Sequence, residues 1–209
     1  LLPEGGVDML RKLAGAAALS VAMALAACSG KDAAPAEGDM ALGAPEGAKV
    51  TVIEYASVTC SGCAAWNKQV WPQFKAKYVD TGKVRYVFRE FPTPPQDVAV
   101  AGFLIARCAG EDKYFHVIDQ IMRALPELHS GTPPRDILLR TARDAGLSEA
   151  RFQTCISDPA GVAAMEKRIK AAQDAGVTGT PTFMVNGQVV GDRSLESLSQ
   201  SIDPLLTAK

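Results

Sequence analysis

The sequence predicts an α/β fold, with strands on either side of a long helical stretch, and three observations predict it. A β-branched strand at Val50 to Ala56 runs almost directly into an amphipathic helix; a second strand follows at Val84 to Phe91; and a strand pair joined by Asn186-Gly187 comes only after a stretch of helical periodicity ending near Ala175. Strands that alternate with helices, then helices in a run, then strands again, favour helices packed on a sheet over an all-α or all-β domain.

Each element has a local cause. Val50-Thr51-Val52-Ile53-Glu54-Tyr55-Ala56 carries β-branched and aromatic residues. From Ala64 to Tyr78 the large apolar residues Trp66, Val70, Phe74 and Tyr78 recur every four positions, the spacing of one helix face; core packing is the default for Trp66 and Trp71. Val84-Arg85-Tyr86-Val87-Phe88-Arg89-Glu90-Phe91 reads as a strand stopped by Pro92, Pro94 and Pro95. Helical patterns then cover Gln96 to Ala109, Lys113 to Leu125, Arg135 to Ala145, Ser148 to Ser157 and Gly161 to Ala175, with Gly110, Gly146 and Gly176 as stops. Thr182 to Val185 and Gln188 to Val190 flank Asn186-Gly187, a strong short-range hairpin signal. Ser194 caps a last helix, Ser194 to Leu206.

The chemistry is concentrated in Cys60-Ser61-Gly62-Cys63, at the junction of the first strand and helix. Spacing of three brings the two sulfurs close, while the unbonded N–H groups and positive dipole end of a helix favour a thiolate on the first cysteine. The same spacing supplies half of many zinc sites, but a zinc site needs two more ligands. Cys108, Cys155, His116 and His129 are not paired at ligand spacing, and the two histidines read as surface or packing residues, so no metal is assigned. The 22 basic and 23 acidic residues, with no basic tract and no phosphate loop, give no reason to expect nucleic acid.

A C-x-x-C at a helix start together with Gly179-Thr180-Pro181-Thr182-Phe183 before a hairpin resembles the thioredoxin fold, and the helical stretch between resembles the insertion of the DsbA-type thiol oxidoreductases. The resemblance covers about residues 46 to 207 and implies a thioredoxin fold with an inserted helical subdomain at about 94–175. It implies a protein-disulfide oxidoreductase without cofactor, acting on substrate proteins that carry cysteine thiols, with a membrane redox partner of DsbB type. Cys60 matches the family's nucleophile and Cys63 its resolving cysteine. Pro181 matches the cis-proline, leaving Thr180 to offer its backbone to substrate; the other reading of Pro181 is an ordinary trans turn proline. Glu54 matches the acid buried beneath the disulfide, able to relay the proton of Cys63. Strand periodicity alone leaves open whether Glu54 is buried or exposed. The dipeptide departs from the family pattern: many members carry Pro-His where this chain has Ser61-Gly62, so thiolate support must come from the helix terminus, N–H donors and the Ser61 hydroxyl. Some alphaproteobacterial members have an extra cysteine pair in the helical subdomain, which implies a disulfide between Cys108 and Cys155. Two separate buried thiols are the other reading.

The N-terminal region indicates export. Met9-Leu10-Arg11-Lys12 is a short basic region and Leu13 to Ala27 an apolar run too short for a comfortable membrane span, together reading as a signal peptide at 1–27, with Leu1 to Asp8 an upstream extension. Leu25-Ala26-Ala27-Cys28 resembles a bacterial lipobox, in which Cys28 is lipidated and anchors the protein to a membrane facing the periplasm. Plain cleavage after Ala27 is the other reading, and Ser29 after a lipidated cysteine points to the outer membrane. Residues 28–47, rich in Ala, Gly and Pro, are expected to be a flexible tether to a domain at 48–207. With Cys28 lipidated, the odd count of five cysteines becomes four. Two other functions fit the same residues: a reductase or isomerase of this fold, and a Cu(I) chaperone using both thiols of the motif.

Overall fold

The computed structural model describes residues 35–208. Its sheet has five strands: β1 (Met40–Gly43), β2 (Thr51–Ala56), β3 (Arg85–Glu90), β4 (Thr182–Val185) and β5 (Gln188–Val190), in the order β1-β3-β2-β4-β5. Among the described residues only the β2–β3 pair is parallel. The helices are α1 (Ser61–Gln69), α2 (Trp71–Phe74), α3 (Gln96–Cys108), α4 (Glu111–Arg123), α5 (Leu125–His129), α6 (Pro134–Asp144), α7 (Glu149–Ile156), α8 (Pro159–Asp174) and α9 (Leu195–Thr207). Helices α3 to α8 form one uninterrupted run between β3 and β4.

The sheet is buried on both faces. Val52, Ala56, Tyr86 and Phe88 pack with Cys63, Trp66, Phe103 and Tyr114 in the larger cluster, while Ile53, Tyr55, Val87 and Met184 pack with Ala172 and Val177 on the other side. Trp66 sets α1 on the sheet, its ring centroid 4.6 Å from that of Phe183 and 5.9 Å from that of Phe74. The apolar period of four persists from Trp66 to Tyr78, but the helix does not: it breaks at Val70, Pro72 starts α2, and Lys75–Val79 forms a π-helical turn. Proline has no N–H for a preceding carbonyl, so the chain restarts there rather than continuing. Asn186 and Gly187 take φ values of 47° and 81°, the left-handed pair that a two-residue hairpin requires. Gly110, Gly146 and Gly176 follow α3, α6 and α8.

One expectation needs correction. Residues 40–43, expected within a tether at 28–47, are instead a strand paired antiparallel with β3, so the sheet begins well before residue 48. Met40 and Leu42 turn toward the larger cluster and Ala41 toward the smaller. At Gly43, with φ 85°, an added Cβ would lie 2.4 Å from the Val84 carbonyl oxygen, so only glycine fits this close approach. Asp39 holds the entry to β1 by accepting two hydrogen bonds from Arg89, each 2.9 Å. The segment bearing Cys28 lies outside the described residues, and among those residues no helix is long and apolar enough to cross a membrane.

The helical run is fastened to the sheet by a buried acid. Glu90, at the end of β3 and 1% exposed, accepts hydrogen bonds from Arg107 of α3 at 2.6 Å, Tyr114 of α4 at 3.0 Å and Arg168 of α8 at 2.9 Å. Cys108, closing α3, and Cys155 of α7 are joined by a disulfide.

Candidate active site

The loop after β2 is sewn in place before α1 begins. Ser57 and Thr59 are buried; the Thr93 and Thr59 N–H groups donate to Ser57 Oγ at 3.1 and 3.3 Å, and Thr59 Oγ1 donates to the Thr93 carbonyl at 2.8 Å. This leaves Cys60 with φ −85° and ψ 115° as the N-cap of α1, just outside the first turn. Its sulfur does what an N-cap oxygen does, accepting the Cys63 N–H at 3.3 Å. Cys63, one turn in, is fully buried, while Cys60 is half-buried.

The two distant sequence motifs meet here. The Cys60 sulfur lies 3.4 Å from the Thr180 carbonyl oxygen, across 120 residues of chain, and donates to it when protonated. The Thr180–Pro181 peptide is cis, as is Pro94–Pro95. Pro181 Cδ lies 3.4 Å from the point where a Cβ on Gly62 would stand, and Cys60 Sγ lies 3.7 Å from the same point, so Gly62 sits between the nucleophile and the proline.

Electrostatics separate the two cysteines. A hydrogen bond from the Cys63 thiol, opposed by partial burial, then the buried and otherwise unpartnered Thr180 hydroxyl and the Cys63 and Gly62 N–H groups, bring the Cys60 pKa down to about 5. Burial pushes the Cys63 thiol far above its ordinary value, and its bond to Cys60 and the nearby Glu54 push the same way. Among the described residues the Ser61 hydroxyl makes no hydrogen bond to the Cys60 sulfur; Ser61 instead is exposed beside a groove of about 460 Å³ bounded by α1, Met122, Leu125 and His129.

Glu54 is 2% exposed, on the same face of β2 as Val52 and Ala56, below the cysteines. Burial raises its pKa to about 8 against the opposing hydrogen bond from the Tyr86 hydroxyl, and negative charge at Cys60 raises it further. A carboxyl held protonated near neutral pH is a proton reservoir beside a thiol that must gain and lose one. Tyr86, Ser57, Thr59 and Thr93 went unseen in the sequence reading: Tyr86 lies two positions off direct register with Glu54, and no short motif links Thr93 to the cysteines. His116 and His129 are exposed, and among the described residues no group of three His, Cys, Asp or Glu side chains could hold a metal ion.

Comparison with known proteins agrees with this fold. The thioredoxin family profile matches residues 35–204. A Rickettsia conorii protein named "Putative protein-disulfide oxidoreductase" is 31% identical over 172 residues, 81% of this chain but 61% of the relative, so the chain spans about three-fifths of that relative's length. The crystal structure of Wolbachia pipientis alpha-DsbA1 superposes with a TM-score of 0.74 at 27% identity, covering 82% of this chain and 92% of that one. A thioredoxin-like oxidoreductase from Silicibacter pomeroyi gives a TM-score of 0.66 at 26% identity, over 83% and 95% of the two chains.

Proposed function

Because this chain belongs to the thioredoxin family, with a DsbA-type thioredoxin fold, we propose that it is a protein-disulfide oxidoreductase that exchanges disulfides with cysteine-bearing substrate proteins through Cys60 and Cys63. The observation that carries this reading is the opposed state of two adjacent sulfurs, Cys60 held as a thiolate near neutral pH and Cys63 held as a thiol. Two neighbouring titratable groups driven apart by their surroundings take different roles.

In the oxidising direction a substrate thiolate attacks the Cys60 sulfur of the Cys60–Cys63 disulfide. The S–S bond breaks, Cys63 leaves with the electron pair, and the protonated Glu54 supplies its proton. A second substrate thiolate then attacks the substrate sulfur of the mixed disulfide, expelling Cys60 as a thiolate. The substrate loses two electrons and the Cys60–Cys63 pair gains them. A low Cys60 pKa makes Cys60 the better leaving group and stabilises the reduced pair, so it favours donation of disulfides over their reduction. Thr180, with its carbonyl toward Cys60 and next to Pro181, is suited to align an extended substrate segment.

Export supplies the setting. Cysteine exchange toward disulfides needs an oxidising compartment, and the N-terminal sequence supports the periplasm, with lipid attachment at Cys28; reoxidation by a membrane partner of DsbB type completes the cycle. The test is substrate trapping: Cys63→Ser, which removes the resolving thiol, accumulates mixed disulfides, whereas Cys60→Ser accumulates few. Equal trapping by the two variants overturns the assignment of roles.

A further inference from the structure

The dipeptide Ser61-Gly62 places no cation between the cysteines, yet one lies close by in space. The guanidinium of Arg193, from the loop between β5 and α9, has Nη1 4.0 Å from the point where a Cβ on Gly62 would stand, and Cys60 Sγ is 3.7 Å from that same point. Two atoms so close to one point are less than about 8 Å apart, within the Debye length at physiological salt. With no side chain at position 62, none of that residue's atoms beyond the backbone stands between them.

The loop is held at its backbone rather than through this side chain. The indole N–H of the buried Trp66, on α1, donates to the Arg193 carbonyl at 2.8 Å, tying the loop to the helix that carries the cysteines. On the other side Ser194 caps α9 by accepting the Ser197 N–H at 3.2 Å. Asp192, the carboxylate next in the chain, is engaged with Ser194, accepting its N–H at 3.1 Å and its hydroxyl at 2.7 Å. Among the described residues the Arg193 guanidinium forms no ion pair, though it is exposed and near Asp192. Its charge is therefore not consumed by a bonded carboxylate.

We propose that Arg193 is a positioning residue for the exchange reaction, whose charge, delivered from the β5–α9 loop across Gly62, stabilises the Cys60 thiolate in place of a cation within the dipeptide. The reading rests on Cys60 being the exchanging sulfur, and it adds charge attraction to the hydrogen bonds from Cys63 and Thr180. A unit charge at this distance in a largely aqueous setting moves a pKa by about half a unit, and salt removes most of it.

The test is the ultraviolet absorbance of the Cys60 thiolate against pH in the purified reduced protein, at low ionic strength and again at 1 M salt. Arg193→Gln is expected to raise the Cys60 pKa by about half a unit and Arg193→Glu by about one unit, while Arg193→Lys stays near the wild type. At 1 M salt the four proteins converge. A merely structural role would not follow the sign of the charge, and the Trp66 bond to the backbone carbonyl survives every one of these substitutions. If the Gln and Glu variants titrate like the wild type at low salt, the proposal is overturned. Exchange of the wild type with oxidised glutathione, run alongside, tests the oxidoreductase reading separately: its absence would remove that function while the titration still reports whether Arg193 acts on Cys60.

Discussion

Acidification should destabilise the reduced protein relative to its Cys60–Cys63 disulfide form. Cys60 titrates at about 5 in the folded protein against an ordinary value of 9.0. A thiol whose folded pKa is depressed contributes stability that is fully present above the unfolded value and lost as pH falls through the folded one. The window is therefore pH 9 down to 5, and the disulfide form has no such group. Four units at about 1.4 kcal/mol each make about 5.6 kcal/mol, and because the sulfur is half-exposed, solvent screening brings this to roughly 2–3 kcal/mol. Glu54 slopes the other way: with its pKa raised from 4.5 to about 8, its contribution is full below 4.5 and lost as pH rises through 8. Most of that slope is shared by both redox forms and cancels in their difference, but the part caused by the Cys60 charge does not. Glu54→Gln removes it. The assay is urea unfolding of reduced and oxidised Glu54→Gln protein across pH 4 to 9, read as the difference between the two forms. A difference that stays flat between pH 5 and 9 would refute the claim that this fold stabilises the Cys60 thiolate.

Three further outcomes are expected. Glu90→Ala leaves Arg107 and Arg168 facing a vacated, partly buried site, and the loss should be about 3–5 kcal/mol in chemical denaturation, with Glu90→Gln losing less. Replacing Cys108 and Cys155 together by alanine opens a cross-link of sequence separation 47 and should cost about 4 kcal/mol by loop-entropy arithmetic, with glutathione exchange at Cys60 retained. Cys28→Ala, at a position outside the described residues, should move the protein out of the membrane fraction on cell fractionation, since two acyl chains give stable attachment and none gives release.

Much of the site was legible because its rules are local. A β-branched run into C-x-x-C places two sulfurs at a helix start, whatever the rest of the chain does. The Asn186-Gly187 hairpin follows from backbone sterics alone, and so does the end of β3 at Glu90, just before Pro92. That Pro181 and Thr180 belong to the same site as Cys60 came only from the resemblance, and the bond between Cys60 and the Thr180 carbonyl only from the structure, since no local rule links positions 120 residues apart.

What tertiary structure decided are the matters of face and partner. An alternating pattern cannot tell which side of β2 is interior when both sides are covered, so Glu54 became a buried acid only when the β2–β3 register and the packing of α1 put it under the cysteines, with Tyr86 to bond. β1 was invisible because four residues with two large apolar side chains carry no period; its strand character comes from pairing with β3 and from the close approach at Gly43. Glu90 gathered arginines from α3 and α8, and Arg193 reached the space above Gly62, because a folded chain brings charges together across distances that sequence spacing does not encode. Local propensity thus determined which residues could react, and nonlocal packing determined their protonation, because burial and neighbouring charge act through space.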